Sequence, residues 1–145
     1  MKSTKKIINE LLVEVFNNIL SIEAQTLKTR GIKLSMNEIH VLEAVLKTSE
    51  PTMTNISHRL RITVGTLTTS VNRLVEKGFV KRQRELEDKR KVLVSLTNNA
   101  VEALKIHDQF HEEMLADVFK DMKLEDDEVL LQSLENLSEY FKRKY

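Results

Sequence analysis

Between Thr63 and Thr97 the chain changes its apolar repeat from that of a helix to that of a strand, with basic residues gathered at the join. In TVGTLTTSVNRLVEK the apolar residues Leu67, Val71, Leu74 and Val75 lie at offsets of four, seven and eight, which places them on one helical face. Gly65, Thr66, Thr69, Asn72 and Arg73 take the opposite face. Small, hydroxylated, amidic and basic groups of that kind meet base edges and phosphates. Gly78 is the expected helix stop. Beyond it, Lys81 to Arg84 and Lys91 to Leu96 read as two short strands around an exposed tip, Glu85 to Arg90. Such a pairing predicts a recognition helix and a wing that bind duplex DNA.

The remaining chain must support that unit. A length of 145 residues suits one domain with a real core, and three Gly and one Pro favour long helices. No apolar run is long enough to span a membrane, and no cleavage site follows the basic N-terminus, so a cytoplasmic location is expected. The absence of cysteine excludes disulfides, thiolate metal sites and a cysteine nucleophile. The net charge of +1 is unevenly spread. Residues 57–97 carry ten Lys/Arg against four Asp/Glu, whereas residues 98–145 carry six against twelve. A basic block coinciding with the helix-and-hairpin pattern points to a polyanion.

In chain order, residues 5–28 predict one long helix with the stripe Ile8, Leu11, Leu12, Val15, Ile19, Ile22 and Leu27, ended near Gly31. Ser35 and Glu38 form a capping box in which Glu38 reaches back to the Ser35 backbone, with Leu34 and Ile39 as its staple. The helix that follows turns Ile39, Leu42, Val45 and Leu46 inward and stops at Pro51. Thr52 caps a short helix, Arg61-Ile62 is a turn, and Thr63 caps the recognition helix, which together make a helix-turn-helix. Thr97 is expected to cap a long helix over 98–120. Glu125 to Glu128 are expected to open a last helix, where carboxylates suit the positive end of the helix dipole. The fold class is therefore mainly α with a small β-wing, a single 145-residue domain. Within it, about 35–97 form the DNA-binding region, and 1–30 and 98–145 form dimerisation helices whose surplus apolar surface needs a second chain.

This order resembles the MarR family of transcription regulators over nearly the whole chain. The resemblance rests on Thr63, Thr66, Leu74, Lys77-Gly78-Phe79-Val80, Arg82, the wing triplet Asp88-Lys89-Arg90 and Leu96-Thr97. The family's wing usually reads Asp-Arg-Arg or Asp-x-Arg, and Lys89 stands here for the first arginine. The resemblance implies a recognition helix in the major groove and Arg90 in the minor groove, where Arg is favoured. Asp88 could fix the Arg90 side chain. Thr63 and Thr66 at a helix N-terminus suit phosphate, while Asn72 suits adenine and Arg73 guanine. The candidate contacts are Thr63, Gly65, Thr66, Thr68, Thr69, Asn72, Arg73, Lys77, Arg82, Arg84, Asp88, Lys89 and Arg90. A homodimer would read a pseudo-palindromic operator in double-stranded DNA.

Within the family, the run Gly65-Thr66-Leu67-Thr68-Thr69-Ser70 is similar to the fatty-acid synthesis repressors of Gram-positive bacteria. So are Asn37 to His40, and His107 through Phe110-His111 to Met114. That likeness implies a repressor responding to acyl chains on acyl carrier protein. Ile19, Ile22, Leu42, Phe110 and Met114 are candidate lining for an acyl chain, and equally plain core. Glu23, His40, His107 and His111 are polar neighbours of that region or, alternatively, the ligands of a zinc-responsive repressor, since two histidines four apart share a helix face. Another small-molecule effector is a third alternative. No catalytic motif is found, so an enzyme is not expected, and a helical adaptor would not need the basic wing.

Overall fold

The computed structural model describes residues 1–145 as two compact units, Met1–Asp108 and Gln109–Tyr145. The first begins with α1 (Thr4–Glu10), a π-helical turn (Leu11–Val15) and α2 (Phe16–Thr29). The predicted single helix thus contains one wider turn, a departure that the apolar stripe does not encode. Ile8, Leu11, Leu12, Val15 and Ile22 of the stripe stand at the surface of this chain, and Leu27 is fully buried.

The cap of α3 (Met36–Lys47) forms as expected at one end only. The Glu38 backbone N–H donates to Ser35 Oγ at 3.1 Å. The Glu38 carboxylate instead accepts from the Ser35 hydroxyl at 3.2 Å and does not cap the Ser35 backbone. It also holds Lys77 Nζ, at 2.9 and 3.0 Å. Ile39, Leu42 and Val45 point inward, but Leu46 is 62% exposed and Val41 takes the buried place. Thr52 caps α4 (Met53–Leu60) by accepting the Asn55 N–H at 3.1 Å. Thr63 caps α5 (Val64–Glu76) by accepting the Thr66 N–H at 3.1 Å.

Three helices of this unit end alike. Past α2, α4 and α5, the N–H of a residue two or three places beyond the helix returns to a carbonyl five residues back: Ile32 to Leu27, Ile62 to Ser57, Phe79 to Leu74. Each closure needs a left-handed residue between. Gly31 and Gly78 supply it with φ of 86° and 81°, whereas Arg61 supplies it with φ of 56° despite its side chain.

The wing is an antiparallel pair, β1 (Val80–Arg84) and β2 (Val92–Leu96), with Arg82 opposite Val94 and Arg84 opposite Val92. A lone bridge joins Thr52 to Leu93, and the Val94 N–H donates to the Pro51 carbonyl at 2.9 Å. The sheet therefore docks on the turn between α3 and α4. Leu27, Ile39, Leu42, Ile56, Leu67, Val71, Leu74, Val94 and Ala100, all at 0% exposure, form the core. Val75, expected on the inner face, is 36% exposed. Thr97 does not cap with its hydroxyl, which donates to the Gly78 carbonyl at 2.7 Å and so ties the entry of α6 (Asn98–Met122) to the end of the recognition helix.

In the second unit the last turns of α6 lead to a 3-10 turn (Leu124–Asp126) and α7 (Glu128–Lys144). Asp127, within the acidic run, caps α7 by accepting the Leu130 N–H at 2.9 Å. No residue of α7 is buried. No helix is long and apolar enough to cross a membrane.

Candidate nucleic-acid interface

The outward face of α5 follows from its buried face. With Leu67, Val71 and Leu74 packed at 0% exposure, Gly65, Thr66, Thr69, Asn72 and Arg73 are all exposed, as predicted from the repeat. At its N-terminus the Thr63 hydroxyl donates to Thr66 Oγ1 at 2.9 Å. That leaves the Thr66 hydroxyl proton directed to other acceptors, beside the unpaired N–H groups of the first turn. Thr68 and Thr69 turn their hydroxyl protons back to the carbonyls of Val64 and Gly65, at 2.8 and 3.4 Å. They can therefore offer an outside partner only methyl groups and oxygen lone pairs.

The basic residues divide into two sets. Arg73, Arg82, Arg84, Lys89 and Arg90 are exposed and enter no ion pair or side-chain hydrogen bond within the chain. Lys77, by contrast, donates to both Glu38 carboxylate oxygens and, at 3.3 Å, to the Lys33 carbonyl. Its charge is committed to an internal clamp, so it is removed from the set of free cations in which the sequence had placed it. Arg59 is likewise internal, donating to Thr48 Oγ1 and the Lys47 carbonyl at the end of α3, both at 3.0 Å.

Asp88 acts one step away from the expected place. Its carboxylate accepts the backbone N–H of Arg90 at 3.0 Å rather than the guanidinium. The Glu85 N–H meets the Lys91 carbonyl and the Lys91 N–H meets the Asp88 carbonyl, each at 3.0 Å, which closes the tip. Arg90 is thus held by its backbone while its side chain stays free. Between the wing and the helix-turn-helix lie two hollows of about 510 and 400 Å³ that share Met53 and Val92. Arg90 lines the first with Thr54, Asn55 and Val64; Arg82 and Arg84 line the second with Thr68.

The residues expected to sense an effector within the first unit do not share one hollow. In the first unit Leu42 belongs to the closed core at 0% exposure, whereas Ile22 is 54% exposed, so the two do not share a lining. Ile19 is half-buried beside them in sequence, on α2. In the second unit Phe110 is buried and Met114 half-buried on α6. His40 lines a separate hollow of about 220 Å³ with Asn37, Val41, Leu60, Ile62, Thr66 and Ser70. Glu23 and His107 do meet: both are buried, and His107 Nε2 contacts Glu23 Oε1. A residue missed in the sequence completes the contact, since His107 Nδ1 lies 3.0 Å from Glu43 Oε1. The imidazole therefore joins α2, α3 and α6, with His111 one turn further along α6. The hydrogen bond with Glu43, helped by that with Glu23, raises the His107 pKa above its ordinary 6.5 against the opposing effect of burial. The same bond lowers the Glu43 pKa below 4.5. The signal for Glu43 was faint: α3 carries two carboxylates, and only Glu38 has a role that its neighbours in sequence indicate.

A family model of the transcriptional regulators SarA and Rot matches residues 25–107. The transcriptional regulator ZitR of Lactococcus lactis subsp. cremoris (strain MG1363) is 32% identical over 118 residues, spanning 77% of this chain and 79% of that one. FabT of Streptococcus pneumoniae, crystallised in complex with DNA, is 31% identical with a TM-score of 0.84, covering 97% of this chain and 99% of that one. The MarR protein of Staphylococcus aureus, solved with salicylate and kanamycin, has a TM-score of 0.80 over 98% and 94% of the two chains. At 19% identity it shares the fold.

Proposed function

The chain belongs to the MarR-type winged-helix transcriptional regulators, with a SarA/Rot-like segment over residues 25–107, and we propose that it works as a homodimeric DNA-binding repressor. The observation that supports this reading best is the unpaired cationic set Arg73, Arg82, Arg84, Lys89 and Arg90, on one exposed helix face and a pinned wing. Cations without internal partners are free to neutralise phosphates. Dimerisation by the terminal helices would present two such faces to successive major grooves of a pseudo-palindromic operator. Its test is fluorescence anisotropy with the promoter DNA beside its own gene. Affinity is expected to fall steeply between low and physiological salt; a flat series sinks the reading.

The regulated genes we propose are those of fatty-acid synthesis, with an acyl chain on acyl carrier protein as effector. The similarity to FabT along 97% of the chain favours this assignment. Native mass spectrometry of protein purified from its own host is expected to show a dimer, and added acyl-acyl carrier protein is expected to change operator affinity. No change with acyl chains of any length counts against it.

A second reading, zinc response, is favoured by one observation. Glu23 and His107 meet, and Glu43 holds the other ring nitrogen, the outer arrangement that fixes a metal-binding imidazole. Glu23 and His107 are the residues of the first unit that would hold zinc. His40 lies along another hollow and is not among them. Calorimetric titration with zinc distinguishes the readings, because absence of binding tighter than micromolar removes the metal.

A further inference from the structure

Lys91 sits next to Arg90 at the base of the wing tip, in the densest run of basic residues in the chain. Charge alone would suit it to a phosphate. Its surroundings say otherwise. Lys91 Nζ lies 3.1 Å from Glu50 Oε1 and 3.9 Å from Glu85 Oε2. Glu50 belongs to the turn between α3 and α4, and Glu85 to the far side of the tip. The two residues after Glu50 also hold the wing: the Pro51 carbonyl accepts the Val94 N–H at 2.9 Å, and Thr52 bridges Leu93. Three successive residues of one turn therefore grip one strand, and the ion pair is the grip nearest the tip.

We infer that Lys91 is a positioning residue, whose ion pair with Glu50 fixes the angle of the wing so that Arg90 is aimed before DNA arrives. A two-stranded ribbon is barely stable by itself. An unpinned wing would have to lose its freedom on binding, which weakens affinity. The pair also keeps Glu50, which lines the Arg90 hollow, from facing the nucleic acid as a bare anion. Opposing charges at exposed positions contribute modestly, so the effect expected is a several-fold change in affinity rather than abolition.

The inference rests on the DNA-binding reading, and a charge swap tests it separately. Glu50→Lys, Lys91→Glu and the double variant are compared with the wild type by operator anisotropy at two salt concentrations. Both singles are expected to bind about 3- to 10-fold more weakly, and the double to recover to within about 2-fold of wild type. A phosphate-contacting Lys91 gives the opposite sign for Glu50→Lys, which would then bind more tightly because it only adds positive charge. Tighter binding by Glu50→Lys, or a double variant equal to the product of the singles, overturns the inference. Amide exchange in the free protein gives a second readout without DNA. Val94, whose N–H donates to the Pro51 carbonyl, is expected to exchange faster in both singles and at the wild-type rate in the double; an unchanged rate in the singles also overturns it. If the wild type fails to bind the operator at all, the exchange data still decide the clamp, and only the DNA-binding reading is lost.

Discussion

Helices α5 and α7 carry the same kind of amphipathic pattern and meet opposite fates. The apolar residues of α5, Leu67, Val71 and Leu74, are at 0% exposure, whereas Val129, Leu134 and Phe141 of α7 are 78%, 44% and 41% exposed. A repeat in the sequence specifies that a face will be buried, not by what. For α5 the cover comes from α3, α4 and β1 of the same chain. For α7, as for the Leu11–Phe16 stretch, the repeat has no cover within its own unit, and the proposed dimer supplies one.

Breaking each face separates the cases. Leu74→Ala leaves a cavity in a closed core and is expected to cost about 2–5 kcal/mol, seen as a large fall in the thermal midpoint. Leu134→Ser with Phe141→Ser is expected to convert dimer to monomer in sedimentation velocity at micromolar concentration while the far-UV helix signal stays. A dimer that persists while α7 melts would show that the face is covered within the chain.

The basic residues sharpen the contrast on a smaller scale, because position in the sequence does not say which charges are free. Arg90→Ala is expected to weaken operator binding by about 1–3 kcal/mol, roughly 5- to 150-fold, and to leave the thermal midpoint unmoved. Lys77→Met should do the reverse. It leaves the Glu38 carboxylate, only 9% exposed, without its cation. Discounted for the half-exposed lysine, the cost is about 1 kcal/mol of stability with the salt slope of binding unchanged. If Lys77→Met alters the salt slope and Arg90→Ala does not, the division of the basic block has been drawn the wrong way round.

His107 joins α2 and α6 to the DNA-reading module through α3, and its contribution depends on pH with a defined sign. Its folded-state pKa lies above 6.5, so the stability it adds is fully present below pH 6.5 and is lost as pH rises through the raised value. Glu43, with its pKa below 4.5, contributes above pH 4.5 and loses that contribution as pH falls through the lowered value. The thermal midpoints of wild type and His107→Gln, measured in chelator, should therefore differ most between pH 4.5 and 6.5 and converge once pH passes above the raised His107 value. A gap that widens in alkali would contradict the assignment of charge.

Much of this architecture was legible because it is local. The caps at Ser35, Thr52 and Thr63, the stops at Gly31 and Gly78 and the inner face of α5 each follow from a few adjacent residues. What escaped is long-range pairing. The sequence does not place Glu38 against Lys77, Glu50 against Lys91, or Glu43 against His107, because those separations of tens of residues are set by the finished core. The surroundings of two candidate site residues escaped for the same reason. Lys77 looked free because its partner lies on another helix, and His40 looked like a companion of Glu23 because a face cannot be told from spacing alone in a helix buried on several sides.

The smallest expected effect comes from the one helix ending that departs from its two neighbours. Gly31 and Gly78 take the left-handed position at the ends of α2 and α5, and Arg61 takes it at the end of α4 with φ of 56° and ψ of 42°. A β-carbon in that region costs about 1 kcal/mol or somewhat more, and glycine has no such penalty. Glycine also has more freedom to lose from the unfolded chain, which offsets part of the gain. Arg61→Gly is therefore expected to stabilise the protein by about 0.5 kcal/mol, a rise of a few degrees at most in the thermal midpoint. Arg61 is exposed, lies in the turn that precedes the recognition helix and has no ion pair within the chain. If strain is retained there for a phosphate contact, the more stable variant will bind operator more weakly and with a shallower salt slope. Equal affinity with raised stability would assign Arg61 to the turn alone.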